Sequence, residues 1–336
     1  MTSLTPLQIG PVTIPIPIIL APMSGVTDLP FRRLVKKYGV DLVISEMIAS
    51  EAMIRETKRS MKMTTSCAEE FPMAVQLAGC DPNVMAEAAK LNVDRGAVII
   101  DINMGCPVKK VVNGYAGSAL MKDELHAAKI LEATVRAVDV PVTLKMRTGW
   151  DAEHRNAPHL AKIAQECGIQ MITIHGRTRA QLYNGVADCA FIGEVKKAIN
   201  IPVIANGDIR TFEDAKKALH LSNADGLMIG RGTYGRPWFL AQLQSLFKGD
   251  PAPAEPQLGQ KLALIQEHVG EMVAHYGEIT GIRMARKHLG WYSKGLPQST
   301  DFRVAINRTQ TFKQIQDLLE KFFSPLLHNE STRNLS

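Results

Sequence analysis

The sequence predicts an α/β fold of the TIM-barrel class, a closed (β/α)8 barrel, followed by a small all-helical domain. Two observations support this prediction. Short, β-branched apolar segments alternate with amphipathic helical patterns eight times between Ile18 and Ile229. Beyond a Pro-rich stretch, the rest of the chain keeps helical periodicity and shows no strand pattern. An open doubly wound sheet is the alternative arrangement of the same elements.

The first predicted strand, Ile18–Ala21, is followed by a helix that we expect between Asp28 and Tyr38, with Asp28 as N-cap and Pro30 in the first turn. The last barrel helix is expected over Pro237–Phe247. The other seven strands are expected at Asp41–Glu46, Met73–Leu77, Val98–Asn103, Val142–Arg147, Met171–His175, Pro202–Asn206 and Gly226–Ile229. Eight short strands separated by helices favour a closed parallel barrel.

The chain length leaves room for a second domain, because 336 residues exceed the roughly 250 that are typical of one barrel. We expect a catalytic barrel domain over residues 1–248, a Pro-rich linker over 249–256 and a helical domain over 257–330.

Composition argues against several classes of protein. No apolar run approaches the roughly 18 residues of a membrane span, and the run Ile14–Met23 is broken by prolines and lacks a basic leader. The five cysteines are odd in number, widely spaced and without a C-x-x-C pair, which argues against disulfides and a metal centre. We therefore expect a cytoplasmic monomer without membrane contact or metal.

Positive charge is concentrated near the C-terminus. The whole chain has a net charge of +6, and the segment between Gly281 and Lys313 alone contains seven basic residues and one acid, Asp301. Such a cluster is typical of a protein that binds a polyanion, although a basic face can also be merely solvated.

The segment Asp101–Pro107, Asp-Ile-Asn-Met-Gly-Cys-Pro, follows a buried strand pattern and presents the thiol of Cys106 at the strand's end. Barrel enzymes place their active sites at the carboxyl ends of the strands. Asn103 lies three residues before Cys106 on the same strand. Polar or cationic residues lie at the ends of other strands as well: Gln76, Lys145, Arg147, His175, Arg177, Asn206, Asp208 and Arg231. This ring of groups predicts a site.

Two glycine-containing turns, Asn206-Gly207-Asp208 and Gly230-Arg231-Gly232, follow strands seven and eight. Barrels commonly bind phosphate there, so a phosphorylated cofactor or substrate is expected. The segment Gly230–Gly235 also matches G-x-G-x-x-G, but it follows the eighth strand and does not indicate a Rossmann site.

Eight motifs together are characteristic: Ala21-Pro-Met-x-Gly-Val-Thr-Asp28, Asp101–Pro107, Gly117–Leu120, Val142–Gly149, Thr173–Thr178, Ile204–Asp208, Met228–Arg231 and Arg286–His288. They resemble the tRNA-dihydrouridine synthases, most closely the bacterial B branch of that family. The resemblance implies an FMN-containing barrel that reduces the C5–C6 double bond of uridine in the D-loop of tRNA. It also implies NADPH or NADH as reductant, and position 17 as the modified uridine.

Residue roles follow from the resemblance. Cofactor contacts are implied for Pro22, Met23, Ser24, Gln76, Lys145, His175, Asn206, Gly207, Asp208, Gly230 and Arg231, the last five of which would take the phosphate. Contacts to the uracil or the tRNA are expected for Asn103, Arg177, Arg283, Arg286, Lys287 and His288, with Lys294 nearby in the same basic segment.

The chemistry also assigns roles to two side chains. Hydride transfer to C6 of uracil must be followed by protonation at C5, and a thiol with a reference pKa near 8.5 makes Cys106 a suitable acid. A cation at Lys145 would stabilise the anionic reduced flavin.

Three other functions stay open at this point. The chain could be an FMN-dependent reductase of a free pyrimidine or small enone, with the helical domain as a lid or dimer interface. It could be a non-catalytic tRNA-binding protein on a barrel scaffold. Schiff-base chemistry at Lys145 is the weakest of the three, because it leaves Cys106 without a role.

Overall fold

A computed structural model describes residues 4–55 and 70–333 of the chain. The chain divides into two compact units. The first comprises Met1–Gly232 and Trp238–Ala252, and the second comprises Thr233–Pro237 and Pro253–Ser336.

The strands of the first unit form a closed parallel barrel. The strands are β1 (Leu7–Ile9), β2 (Val12–Ile14), β3 (Ile18–Leu20), β4 (Leu42–Ile44), β5 (Ile48–Ala49), β6 (Met73–Ala78), β7 (Ile99–Met104), β8 (Val142–Arg147), β9 (Ile172–His175), β10 (Val203–Asn206) and β11 (Gly226–Ile229). In the barrel, neighbouring strands pair in the order β3, β4, β6, β7, β8, β9, β10 and β11, and β11 pairs with β3 to close the ring. The prediction of a (β/α)8 barrel is confirmed, and each of the eight predicted strands coincides with an observed one.

Helices cover the outside of this barrel. They are α1 (Leu29–Lys37), α2 (Ser50–Ile54), α3 (Pro82–Val93), α4 (Lys109–Val112), α5 (Glu124–Ala137), α6 (Ala157–Glu166), α7 (Cys189–Ala198), α8 (Phe212–Ser222) and α9 (Phe239–Lys248). Asp28 caps α1 as predicted, because its Oδ1 accepts a hydrogen bond of 3.1 Å from the Phe31 N–H.

A two-stranded hairpin that the sequence reasoning missed precedes the barrel. β1 and β2 pair antiparallel, and the buried residues Ile9 and Ile14 join the apolar cluster inside the barrel. Their partners in that cluster include Leu42, Ile99 and Ile204, which lie at or near the beginnings of their strands. The hairpin therefore packs against the amino ends of the strands, at the end opposite to the predicted site.

The second unit is helical, in agreement with the prediction. It contains α10 (Leu258–Tyr276), α11 (Glu278–Tyr292), α12 (Ser299–Ile306) and α13 (Phe312–Arg333). Its core includes Phe302 and Phe322, whose rings stack with centroids 4.3 Å apart. Two histidines, His268 of α10 and His288 of α11, are also buried there, with ring centroids 4.7 Å apart. Within residues 4–55 and 70–333, no helix has both the length and the apolar content needed to cross a membrane.

Candidate active site

The register of the barrel brings the predicted site residues to one end. Asn103 lies opposite Lys145 in the pairing of β7 with β8, and Arg147 lies opposite His175 in the pairing of β8 with β9. His175 in turn lies opposite Asn206 of β10. Since these residues lie at or near the carboxyl ends of parallel strands, their side chains share the carboxyl-terminal mouth of the barrel.

The turn that carries Cys106 is held from two sides. The Oδ1 of Asn103 accepts hydrogen bonds from the N–H of Gly105 (3.1 Å) and the N–H of Cys106 (2.9 Å). The carbonyl oxygen of Cys106 accepts from the N–H and the Oγ of Ser118, at 3.1 and 2.9 Å. The position of the thiol is therefore set by hydrogen bonds of its own backbone.

The Cys106 thiol is half-buried and stays protonated at neutral pH. Burial raises its pKa, and this effect is opposed only in part by the Val108 N–H and by the nearby cations of Arg147 and Lys145. A protonated thiol can donate a proton, as the predicted role requires.

Lys145 keeps a positive charge in a poorly hydrated place. Its Nζ donates to Oδ1 of Asn206 over 3.2 Å, and the Nδ2 of Asn206 donates to the Met228 carbonyl oxygen over 2.8 Å. Burial, together with the charge of Arg147, lowers the pKa of Lys145 to about 8, against the opposing effects of Asp101 and Cys106. The side chain of Asn206 thus orients Lys145 and has little capacity left for a phosphate.

His175 is uncharged at neutral pH. Burial lowers the pKa of its imidazole well below the usual value, and the positive charges of Lys145, Arg147, Arg177 and Arg231 lower it further. The Nη1 of Arg177 lies 3.4 Å from the His175 Nε2. A neutral imidazole can accept or donate a hydrogen bond, but it does not serve as a cationic acid.

Arg147 connects two loops at the barrel mouth. Its Nε donates to the Gly105 carbonyl over 2.7 Å, and its Nη1 donates to the carbonyls of Thr178 and Leu182, each over 2.8 Å. The side chain is buried, so it fastens the Cys106 turn to the loop that follows β9.

Arg177 was expected to contact the substrate, but the structure gives its guanidinium a framework role. It is buried and donates to the carbonyls of Asn184 (3.0 Å) and Gly185 (2.7 Å) and to the carboxylate of Asp208. Arg231 also donates to Asp208, over 2.9 Å. Burial raises the pKa of Asp208, but these two arginines and the Ala187 N–H outweigh that effect and hold the pKa below its usual value.

The turn after β10 leaves backbone donors for a ligand. Gly207 has a φ of +132° and Asp208 a φ of +53°, so the turn uses the left-handed region. Among the described residues, neither of these two N–H groups donates to a protein acceptor. The Asp208 carboxylate itself faces the arginines, so only its backbone suits a phosphate.

The turn after β3 lies close to the turn after β11. A Cβ at Gly230 would come within 3.3 Å of the Met23 sulfur, so glycine permits this close approach. The Met23 N–H donates to Thr27 Oγ1 over 2.8 Å. Pro22 is half-buried, whereas Ser24 is exposed.

Tyr183, which the sequence reasoning did not single out, lies over the same mouth. Its ring is 5.7 Å from the Arg147 guanidinium carbon and 5.1 Å from that of Arg231, and its centroid is 6.5 Å from that of His175. More than half of the side chain is exposed. Its position in the loop after β9, at the carboxyl end of a strand, could have marked Tyr183 as a candidate site residue.

The basic residues predicted to contact RNA differ in their placement. Arg283 and Lys294 are exposed, and Lys287 is half-buried. The Nη2 of Arg286 donates to the Thr309 carbonyl over 2.7 Å and so ties α11 to the turn after α12. His288 is only 1% exposed and lies in the core of its own unit, and its phosphate contact stays a prediction. Within the described parts of the chain, no three His, Cys, Asp or Glu side chains gather into a metal site.

Solved structures that resemble this chain share its fold. A morphinone reductase in complex with tetrahydroNAD is 15% identical, with a TM-score of 0.54, and the match covers 78% of this chain and 94% of that one. A histamine dehydrogenase from Rhizobium is 13% identical, with the same TM-score, over 80% of this chain and 51% of that one. At such identity, the likeness concerns the barrel alone.

Sequence comparisons identify the family. The model of the dihydrouridine synthases matches residues 19–326. A probable tRNA-dihydrouridine synthase of Rickettsia bellii is 55% identical over 326 residues, which are 96% of this chain and all of that protein. The tRNA-dihydrouridine synthases B of Xanthomonas campestris and Pseudomonas aeruginosa are 49% and 47% identical, each over 96% of this chain and 97% of the relative. The resemblance inferred from the motifs is thereby confirmed, and the chain belongs to the dihydrouridine synthase family.

Proposed function

We propose that this enzyme reduces uridine to 5,6-dihydrouridine in the D-loop of tRNA, with FMN as cofactor and NADPH as reductant. The observation that supports this most strongly is the protonated thiol of Cys106, held on its turn by Asn103, at the same barrel mouth as the cation of Lys145. The names of the similar bacterial proteins agree with this substrate.

The turn after β10 suits the phosphate of FMN in its chemistry. The N–H groups of Gly207 and Asp208 have no protein acceptor among the described residues, and backbone N–H groups are common phosphate ligands. Arg231 adds a partly exposed cation at the neighbouring strand end. Asn206 is better assigned to holding Lys145 than to holding the phosphate.

Other residues of the mouth suit the flavin ring. Pro22 and Met23 offer a half-buried apolar surface beside Gly230. Lys145 would stabilise negative charge on the ring, and the neutral His175 would add a hydrogen bond. When bound, FMN would supply the hydride for C6 of uracil.

Cys106 would supply the proton for C5. Proton donation requires a group that is protonated at neutral pH and able to release its proton, and the half-buried thiol meets both conditions. His175 is excluded as a cationic donor by its low pKa. Asn103 shapes the turn through both backbone N–H groups, so it holds the acid in place and contacts uracil at most through its remaining amide hydrogen.

The first prediction tests this assignment. Cys106→Ala is expected to slow dihydrouridine formation by about 10² to 10⁴, the usual contribution of a positioned acid, while NADPH still reduces the bound flavin. Single-turnover assays with transcribed tRNA measure the first rate, and flavin absorbance measures the second.

Cys189→Ala is the matched control, because Cys189 is also half-buried and burial also raises its pKa. An unchanged rate of dihydrouridine formation in Cys106→Ala would transfer the acid role to Lys145, whose pKa of about 8 makes it the other proton donor at the mouth.

The choice of substrate is tested by comparing transcribed tRNA with free uridine. Preference for tRNA supports the proposal, and equal turnover of free uridine would favour the small-molecule reductase. Mapping dihydrouridine in tRNA from cells that lack this protein would then identify the modified position, for which 17 is the expectation.

A further inference from the structure

A line of buried polar side chains runs from the inside of the barrel to the Cys106 turn. Asp101, in the middle of β7, accepts a hydrogen bond from Thr143 Oγ1 on Oδ1 and one from Gln76 Nε2 on Oδ2, both over 2.6 Å. The Oε1 of Gln76 accepts from Asn103 Nδ2 over 2.7 Å. The Oδ1 of Asn103 in turn accepts hydrogen bonds from the N–H groups of Gly105 and Cys106. Asp101, Gln76 and Asn103 are called the Asp101 relay below.

The direction of every bond in this relay is determined by chemistry. Backbone N–H groups only donate, so Asn103 must turn its oxygen toward the turn and its Nδ2 toward Gln76. Gln76 must therefore present Oε1 to Asn103, which leaves Nε2 in need of an acceptor. The Oδ2 of Asp101 is that acceptor. The orientation of both amides consequently depends on the carboxyl group of Asp101.

We propose that Asp101 is a positioning residue that sets the Cys106 turn through Gln76 and Asn103. The importance of the turn for catalysis rests on the proposed function, whereas the contacts that form the relay do not. Asp101 would touch neither the cofactor nor the uracil.

A packing role explains Asp101 poorly. The residue is 1% exposed, and burial raises the pKa of its carboxyl group, so its charged form is disfavoured in this place. Its neighbours in the strand, Ile100 and Ile102, are buried apolar side chains that pack without this cost. A carboxyl group at position 101 is explained by the orientation that it imposes on Gln76.

The test follows the reactivity of Cys106 in the full-length protein. Iodoacetamide alkylation is quantified for the Cys106 peptide by mass spectrometry and normalised to Cys189 of the same molecule. Asp101→Val removes the acceptor, and the freed turn is expected to expose the thiol, which speeds its alkylation by roughly five- to thirtyfold, as one or two lost hydrogen bonds would give.

The conservative variant is expected to rescue the relay. In Asp101→Asn, the amide oxygen can accept from Gln76 while the amide nitrogen donates to the Thr143 hydroxyl, so the alkylation rate should stay within about twofold of the wild type. A role in which the negative charge itself is required predicts no such rescue, and the absence of rescue would overturn the proposal.

Two further variants separate the relay from general loosening of the barrel. Thr143→Val removes the other hydrogen bond of the same carboxyl group but leaves the link to Gln76, so the alkylation rate of Cys106 should not change. Gln76→Leu cuts the relay one residue later and should give the increase seen in Asp101→Val. Because Asp101 acts on the turn through Gln76, the two substitutions interrupt the same chain of hydrogen bonds. Cys106 in the double variant Asp101→Val/Gln76→Leu should therefore be alkylated no faster than in either single variant.

An unchanged rate in Gln76→Leu, an equal increase in Thr143→Val, or additive effects in the double variant would each overturn the proposal. If Asp101→Val does not fold, Gln76→Leu alone decides. Alkylation does not depend on turnover, so failure of the relay and failure of the proposed function are distinguishable. A wild-type protein that forms no dihydrouridine would contradict only the function.

Discussion

Asn103 illustrates what a side chain's neighbours add to its position in the sequence. From the sequence, its amide was expected to contact the uracil or the tRNA. In the structure, the oxygen of that amide accepts hydrogen bonds from the backbone N–H groups of Gly105 and Cys106, and its nitrogen donates to Gln76. The two bonds to the amide oxygen shape the turn that carries Cys106.

The positions of the site residues could be predicted, but the directions of their side chains could not. Cys106, Lys145 and His175 lie near the carboxyl ends of their strands, and these ends meet at the mouth of any parallel barrel. Arg147 instead finds its acceptors 31 to 42 residues away in the chain, in loops without a regular pattern. No local sequence signal tells which carbonyl a buried arginine will reach.

Tyr183 gives the second prediction. Its exposed ring at the barrel mouth suits stacking against a nucleotide that neighbours the reacting base, an interaction worth roughly 1–3 kcal/mol. Tyr183→Ala is therefore expected to raise the KM for tRNA by roughly tenfold or more, without slowing reduction of the flavin by NADPH. Steady-state kinetics measure both.

Tyr183→Phe is the matched control, because it keeps the ring and removes only the hydroxyl group. It should retain the wild-type KM within about twofold. A normal KM in Tyr183→Ala would show that the ring does not contact the RNA.

At the scale of elements, the helices and barrel strands were predictable because their patterns are local. β-branched runs indicated the eight strands, and the Asp28 and Pro30 pair indicated the start of α1. The β1–β2 hairpin was missed although Leu-Gln-Ile and Val-Thr-Ile alternate around Gly10-Pro11. Its strands have three residues each, too few for periodicity to be distinctive.

The contact between α10 and α11 gives the third prediction, a loss of stability in acid. Burial, with a smaller effect of Lys287, lowers the pKa of His268 to about 3. Burial also lowers the pKa of His288 well below its usual value. Below pH 6.5 both histidines become protonated in the unfolded chain but stay neutral in the folded chain. Their contribution to the free energy of unfolding is therefore complete above pH 6.5 and decreases as the pH falls. At pH 5 the loss should be about 2 kcal/mol for His268, and His288 adds to it in the same direction.

Hydrogen exchange of peptides from α10 and α11, measured between pH 7 and pH 5 and corrected for intrinsic rates, tests this prediction. Protection should decrease in the wild type and decrease less in His268→Asn, which cannot be protonated. His328→Asn, at an exposed position of the same unit, should behave as the wild type. Equal pH dependence in His268→Asn and the wild type would contradict the assignment.

At the scale of the whole molecule, the basic residues behind the net charge of +6 differ in how accessible they are to a polyanion. In the segment between Gly281 and Lys313, the structure shows Arg286 bonded within its own unit and Lys313 paired with Asp317 over 2.8 Å. Arg283 and Lys294 are exposed and thus better placed to contact RNA phosphates. The sequence predicted the cluster of basic residues, but only the fold shows which of them are exposed and which are bonded within the protein.

The fourth prediction concerns these two residues. If Arg283 and Lys294 contact tRNA phosphates, the double variant Arg283→Gln/Lys294→Gln should bind tRNA more weakly. The log–log dependence of its affinity on salt should also be shallower by about 0.7 to 0.9 for each lost contact. Filter binding at several salt concentrations measures the slope.

Arg136→Gln is the control, an exposed arginine of α5 whose guanidinium pairs with Glu132 over 2.5 Å. Its removal lowers the net charge without touching the segment, so the slope should not change. An unchanged slope in the Arg283 and Lys294 double variant would mean that this basic face is only solvated.

The hairpin at the amino ends of the strands also has a consequence for biosynthesis. Ile9 and Ile14 leave the ribosome before their partners in the apolar cluster, such as Ile204 and Met228, which are translated about two hundred residues later. The strand β3 likewise waits for β11 before its edge is covered. The nascent chain therefore exposes an apolar hairpin and an unpaired sheet edge through most of translation. Both features favour aggregation, so we expect this stage of synthesis to depend most on chaperones.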